Sequence, residues 1–356
     1  MKKIYCCFYF LNFLKSFCTF RANFLYKFIC FLNKIISYRN DKVNYMSIKK
    51  VVVAGGGVLG SQIALQSSYC GFDVTIWLRS EGSIERAKPK LERFRNIYVQ
   101  TLEALKTDKS QYCAGLAKSP DISDDEIDEL IENAKKAYDN LTLTTSYEEA
   151  AQDADLVVEA IAEDPEQKIA FYKELAKYLP EKTIVVTNSS TLLPSTFAEY
   201  TGRPEKYLAL HFANNIWMNN TAEVMGHPGT EQKYYDEIVQ FAEDINMVPL
   251  KLKKEQPGYI LNSMLVPFLS AAEMLYALDV ADPETIDKTW MIATGAPNGP
   301  FRILDVVGLV TAYNIVIMNP EVKNPDSVHA KIAAKLKEKI DKGETGINAG
   351  KGFYEY

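Results

Sequence analysis

The chain has 356 residues, enough for two domains, and is 47% apolar and 24% charged. That composition excludes a wholly disordered, collagen-like or multi-span membrane chain. A net charge of −6 argues against a general nucleic-acid binder, so no nucleic-acid partner is expected.

The charge is unevenly spread. Residues 1–45 carry eight Lys/Arg against one acid, a net of +7, which leaves −13 for the other 311 residues. Four of the six cysteines and eight of the 17 phenylalanines also fall in that stretch. Its longest uncharged run, between Lys3 and Lys15, is too short to span a bilayer, and no small-x-small cleavage site follows it. The segment reads as a non-native or disordered extension, with Met46-Ser47-Ile48 resembling a natural start. A membrane-surface anchor is the other reading, and the only route to a membrane. The body keeps Cys70 and Cys113 alone, which gives neither a metal spacing nor a disulfide framework, so a cytoplasmic protein is expected.

From Lys49 the chain alternates β-branched runs with amphipathic segments, the pattern of a parallel sheet with crossover helices. Strands are predicted at 50–54, 74–78, 156–159, 183–187 and 207–211. Directly after the first comes Gly55-Gly56-Gly57-Val58-Leu59-Gly60, a G-x-G-x-x-G turn opening a helix. Gly55 makes the tight turn, Gly57 lets backbone approach a pyrophosphate, and Gly60 lets helix pack on strand. The helix start at Val58 and Leu59 offers free amides to the phosphates. A dinucleotide is therefore expected as cofactor.

In such folds an acid ending the second strand accepts bonds from the adenosine ribose. Here that position is Leu78, followed by Arg79 and Ser80. A guanidinium and a hydroxyl suit a 2′-phosphate, so NADP(H) is favoured over NAD(H). The alternative is that Arg79 stacks on the adenine and NAD(H) is bound.

Next, residues 82–140 read as two charged helices inserted in the sheet, an arm toward substrate, the second opened by a capping box at Ser123–Glu126. The run Arg86, Lys88, Lys90, Arg93 and Arg95 supplies either a basic surface for phosphates or a solvated helix face. Past residue 250 strands vanish and helices are predicted at 258–278, 283–293, 300–318 and 327–341, with Asp282-Pro283 starting the second. The reading is an α/β doubly wound Rossmann-type domain over 46–250 and an all-α domain over 251–356 for substrate and dimerisation. A homodimer is expected.

There are three histidines. His227 lies in a Gly-His-Pro-Gly turn and His329 on a polar helix, and both read as surface residues. His211 ends a strand at the carboxyl edge where open α/β sheets bind ligands. Glu223 follows a loop that folds back, where a carboxylate on one imidazole nitrogen fixes the tautomer.

Together these features resemble the 3-hydroxyacyl-CoA dehydrogenase family, over nearly all of residues 48–356. The strand-and-acid motif stands as 155–163, with Lys168 five residues on. The others are Asn188-Ser189-Ser190-Thr191, His211-Phe212-Ala213-Asn214, Pro257-Gly258-Tyr259-Ile260-Leu261-Asn262, Gly299-Pro300-Phe301 and Gly350-Lys351-Gly352-Phe353-Tyr354. The resemblance implies that Glu163, Lys168 and Asn214 lie along the cofactor. It implies a site of His211, Glu223, Ser190 and Asn262, with His211 as base in oxidation and acid in reduction. The implied reaction interconverts a short (S)-3-hydroxyacyl-CoA and its 3-oxoacyl-CoA. Three departures stand out: Asn215 where the family usually has Pro, Asn348 in place of a basic residue, and the missing acid at Leu78. A dehydrogenase of a non-CoA hydroxy acid, sugar-acid or carnitine-like, is the alternative, and a non-catalytic cofactor-binding or structural relative the second.

Overall fold

A computed structural model describes residues 48–356, so the expectations for residues 1–45 lie outside the described residues. β1 (Lys50–Ala54) is a Val run buried on both faces, as a central parallel strand requires. It lies between β2 (Asp73–Trp77) and β4 (Leu156–Glu159), with β3 (Thr142–Thr144) outside β2. On the other side follow β5 (Ile184–Thr187), β6 (Tyr207–Phe212), β7 (Thr221–Gly226) and β8 (Val248–Lys251). Every neighbouring pair is parallel except β6 and β7. The five predicted strands are present within a residue or so at each end. β3, β7 and β8 were not foreseen. Two of them are only three or four residues long, and β8 carries Pro249, which the sheet tolerates at its edge.

The glycine turn leads into α1 (Val58–Tyr69). The inserted pair are α2 (Glu81–Thr107) and α3 (Asp124–Asp139), and both halves of the Ser123–Glu126 capping box are made. They are not a free arm. Phe94, Tyr98, Ile127 and Ile131 bury one face of the pair against Leu65 and Tyr69 of α1 and against Trp217. Of the basic residues noticed in the sequence, Arg86, Lys88 and Arg93 are exposed, whereas Lys90 and Arg95 are half-buried. The remaining helices of the sheet region are α4 (Tyr147–Ala151), α5 (Pro165–Leu175) and α6 (Gln232–Asp244).

After β8 the chain is helical: α7 (Leu261–Ala277), α8 (Pro283–Thr294), α9 (Pro300–Val307), α10 (Leu309–Ile317) and α11 (Val328–Asp341). Asp282 caps α8 by accepting from the Thr285 amide at 2.7 Å. The single helix expected over 300–318 is instead two. Gly308 takes a φ of 91°, and α9 and α10 meet at a 96° bend. Among the described residues no single helix is long and apolar enough to cross a membrane; only this bent pair passes by length and composition.

Two aspartates explain the glycine motifs of the helical region. Asp287 accepts from the Phe301 and Arg302 amides, and Asp305 from the Phe353 and Tyr354 amides. A Cβ on Gly299 would lie 2.3 Å from the Asp287 carboxyl carbon, and one on Gly352 2.0 Å from an Asp305 oxygen. Only glycine allows these carboxylates so close to the chain.

Glu273 of α7 is 4% exposed beside Leu269, Leu304 and Val316, and one carboxyl oxygen lacks a hydrogen bond. Burial pushes its pKa from 4.5 to about 7. Between those values the folded protein binds more proton than the unfolded chain, so stability falls as pH rises through that window and then levels off. Glu273→Gln is expected to flatten this slope, by up to about 3 kcal/mol across the window. Melting curves at pH 5, 6, 7 and 8 for both proteins check it; superimposable pH profiles would contradict it.

Candidate active site

His211 lies at the carboxyl end of β6, 5% exposed. The antiparallel β6–β7 ladder sets it directly opposite Glu223, and its Nδ1 lies 3.0 Å from Glu223 Oε2. Its Nε2 lies 3.1 Å from the Ser190 hydroxyl. Glu223 Oε1 accepts from the amides of Ile260 (2.8 Å) and Leu261 (3.0 Å), where the chain enters α7. Burial works to raise the Glu223 carboxyl, but the His211 hydrogen bond and the two amides outweigh it and hold it below the usual range. An ionised carboxylate only accepts, so Nδ1 carries the ring hydrogen. That leaves the Nε2 lone pair directed at Ser190, a base with a fixed orientation.

Tyr259 was not foreseen. Its ring stacks on the imidazole at 4.3 Å and 11°, and its hydroxyl donates to the Ser189 carbonyl at 2.7 Å. Gly258 and Tyr259 take φ of 77° and 54°. The left-handed turn costs a side-chain-bearing residue about 1–2 kcal/mol, offset by the stacking and the hydrogen bond, and it aims the next two amides at Glu223. The signal was present: Tyr259 sits inside the Pro257–Asn262 motif, between the sheet and α7.

The loop carrying Ser190 is held from below. Glu163 Oε1 accepts from Ser189 Oγ and from the amide and hydroxyl of Thr191. Lys168 is 1% exposed, with its ammonium 2.6 Å from Glu159 and 3.5 Å from Glu163, so it braces Glu163 from inside. Glu159 is fully buried and also accepts from Tyr172, Thr187 and the Ile161 amide. Asn262 stands half-buried in the first turn of α7; its side chain is bonded to neither His211 nor Ser190. Asn214 is exposed beyond the strand, its carbonyl accepting from Asn219.

At the end of β1 the glycines do what their pattern requires. Gly55 has a φ of 116°, and a Cβ there would lie 2.4 Å from the Ala160 carbonyl oxygen; one on Gly60 would lie 2.2 Å from that of Gly55. A Cβ on Gly57 would meet nothing within 4 Å, so backbone faces open space at the start of α1. No side chain caps that helix and no acid stands in its first turn. Val58 and Leu59 thus open a helix end free to receive a pyrophosphate, and the residues present fit a dinucleotide. Leu78 is buried against this loop, whereas Arg79 and Ser80 are exposed.

The basic run on α2 disperses. Lys88 pairs with Glu85 and Arg95 with Glu92. Lys90 donates to the Gly56 carbonyl at 3.1 Å, and Arg86 to Ser83. His329, read as a surface residue, is half-buried and bonds Asn319 and Glu321; His227 reaches from its turn to the Pro204 carbonyl, 23 residues upstream. No cluster of metal-ligating side chains occurs among the described residues.

Family models match nearly the whole of the described chain. Residues 50–256 match the 3-hydroxyacyl-CoA dehydrogenase NAD-binding domain and 258–356 the C-terminal domain of the same family. The chain belongs to the 3-hydroxyacyl-CoA dehydrogenase family. It is an oxidoreductase with a nicotinamide-cofactor domain. The human mitochondrial hydroxyacyl-coenzyme A dehydrogenase is 31% identical over 87% of this chain and 91% of its own. The 3-hydroxybutyryl-CoA dehydrogenase of Clostridioides difficile is 28% identical over 86% of this chain and 99% of its own. A diketoreductase structure, described as catalysing dicarbonyl compounds, is 44% identical with a TM-score of 0.76, covering 88% of this chain and 100% of its own.

One departure from the family pattern has a clear physical reading. Asn215 takes a φ of 58°, which the ring of a proline forbids, and its amide donates to Gln62. The chain then turns Ile216 and Trp217 inward, and Trp217 packs on Phe94 and Tyr98 of α2.

Proposed function

We propose that the protein interconverts short-chain (S)-3-hydroxyacyl-CoA and 3-oxoacyl-CoA with NADP(H), taking residues 46–250 as the cofactor domain and 251–356 as the substrate and dimerisation domain. The observation that carries the proposal is His211, its Nδ1 tied to Glu223 and its Nε2 facing Ser190. A bound nicotinamide supplies the hydride acceptor or donor. In oxidation His211 Nε2 takes the hydroxyl proton, and Glu223 stabilises the imidazolium that forms. Ser190 Oγ hydrogen-bonds the reacting oxygen, and the side chain of Asn262 adds a second polar contact there. Glu163 keeps the Ser190 loop in place beside the cofactor, and Asn214 borders it. In reduction His211 returns the proton.

A second reading, reduction of a dicarbonyl compound that is not a CoA ester, is favoured by the 44% identity to the diketoreductase and by the altered loop at Asn215. Steady-state rates on acetoacetyl-CoA, a free diketo ester and free 3-hydroxy acids separate them. Turnover confined to the non-CoA compounds would replace the first reading with the second.

The cofactor preference rests on Leu78, Arg79 and Ser80. Arg79 is exposed and joins no ion pair among the described residues. NADPH is expected to exceed NADH in kcat/KM by roughly tenfold or more, and Arg79→Ala to erase most of that margin. A preference for NADH unchanged by the substitution would refute it. Exposed Met264, Ile292, Val306 and Met318 on the helical region support a homodimer, and the unpaired Cys70 and Cys113 suit a cytoplasmic setting.

A further inference from the structure

We infer that Ser83 and Arg86, on the first turns of α2, complete with Arg79 and Ser80 a grip for the 2′-phosphate of the adenosine ribose; this rests on the NADP(H) reading above. The place where an NAD-binding fold sets an acid is plugged. Leu78 is 3% exposed, and a Cβ on Gly56 would lie 2.8 Å from both the Leu78 side chain and Ala87. This contact seats α2 against the glycine loop. Ser83, Ala87 and Lys90 follow at helical spacing along one face, and the Lys90 ammonium donating to the Gly56 carbonyl shows that the face looks at the loop.

Above the plug the polar groups converge. The Ser80 and Ser83 hydroxyls lie 3.0 Å apart, and Arg86 Nη2 donates to Ser83 Oγ at 2.9 Å. The guanidinium therefore folds back along the helix toward the end of β2. Arg86, like Arg79, joins no ion pair among the described residues, although two acids stand in the same turns. Glu85 is taken by Lys88 at 2.9 Å, and Glu81 is exposed. Two guanidinium groups outside any ion pair and two hydroxyls at the ribose end of a dinucleotide fold match a phosphate dianion, which accepts paired, charge-assisted bonds. The apolar Leu78 beneath them has nothing to repel it.

Isothermal titration of the full chain with adenosine 2′,5′-bisphosphate and with 5′-AMP tests this without turnover. The wild type should bind the bisphosphate more tightly than 5′-AMP. Arg86→Ala should weaken bisphosphate binding roughly tenfold and leave 5′-AMP unchanged. Ser83→Ala should act in the same direction but less, and Lys88→Ala should change neither. An Arg86→Ala protein with the wild-type ratio, while Arg79→Ala loses it, would overturn the role of Arg86 and leave the NADP(H) reading standing. A wild type that does not distinguish the two nucleotides would overturn both.

Discussion

His211→Ala is expected to lower kcat by about 10²- to 10⁴-fold, the usual cost of removing a general acid–base group. Nicotinamide nucleotide affinity and the circular dichroism spectrum should stay close to wild type, because His211 lies at the end of β6 and the glycine loop begins at the end of β1. The expectation rests on the imidazole having no spare role. Both ring nitrogens are committed, one to Glu223 and one toward Ser190, and the Tyr259 ring stacks on one face of the imidazole. Near-normal turnover in a folded variant would remove His211 from the chemistry and transfer the problem to Ser190.

Lys168→Met should destabilise the protein by about 3–5 kcal/mol, the cost of leaving a buried charge without its partner. Lys168 and Glu159 are 1% and 0% exposed, and their 2.6 Å contact lies under β4 and α5. Tyr172 and Thr187 still donate to Glu159 but carry no positive charge. A Lys168→Met/Glu159→Leu double variant should recover much of the loss, since apolar replacement of a buried pair is often near neutral. Urea unfolding of the three proteins checks this; a single-variant loss under about 1 kcal/mol would mean that water reaches the pair.

The sequence was most legible where a single physical demand fixes residue type. Gly55, Gly57 and Gly60 declare a loop that tolerates no Cβ or must leave open space. His211 and Glu223 were paired from a strand end and a returning loop, and the β6–β7 ladder realises that return. What escaped depends on neighbours far along the chain. Thr142–Thr144 and Val248–Lys251 are strands only because β2 and β7 present unpaired edges to them. The bend between α9 and α10 hinges on Gly308, whose amide still bonds Leu304 while its φ of 91° ends the helix; an apolar run on both sides hides it. The ion pair of Lys168 was hidden in the sequence because its partner, Glu159, lies nine residues upstream on the adjoining strand. The amphipathic pattern of α2 and α3 revealed two helices, but not that Trp217, more than seventy residues beyond Ser123, would cap their apolar face.

The amides of Ile260 and Leu261 tie the His211–Glu223 pair of the sheet to the entrance of the helical region. One oxygen of Glu223 orients the base, while the other is clamped by backbone that belongs to the entrance of α7. The histidine and its carboxylate come from the sheet, yet the carboxylate's rotamer is dictated by how the helical half is seated. If that half rocks away, Glu223 loses two donors at once, and the Tyr259 ring leaves the imidazole with them.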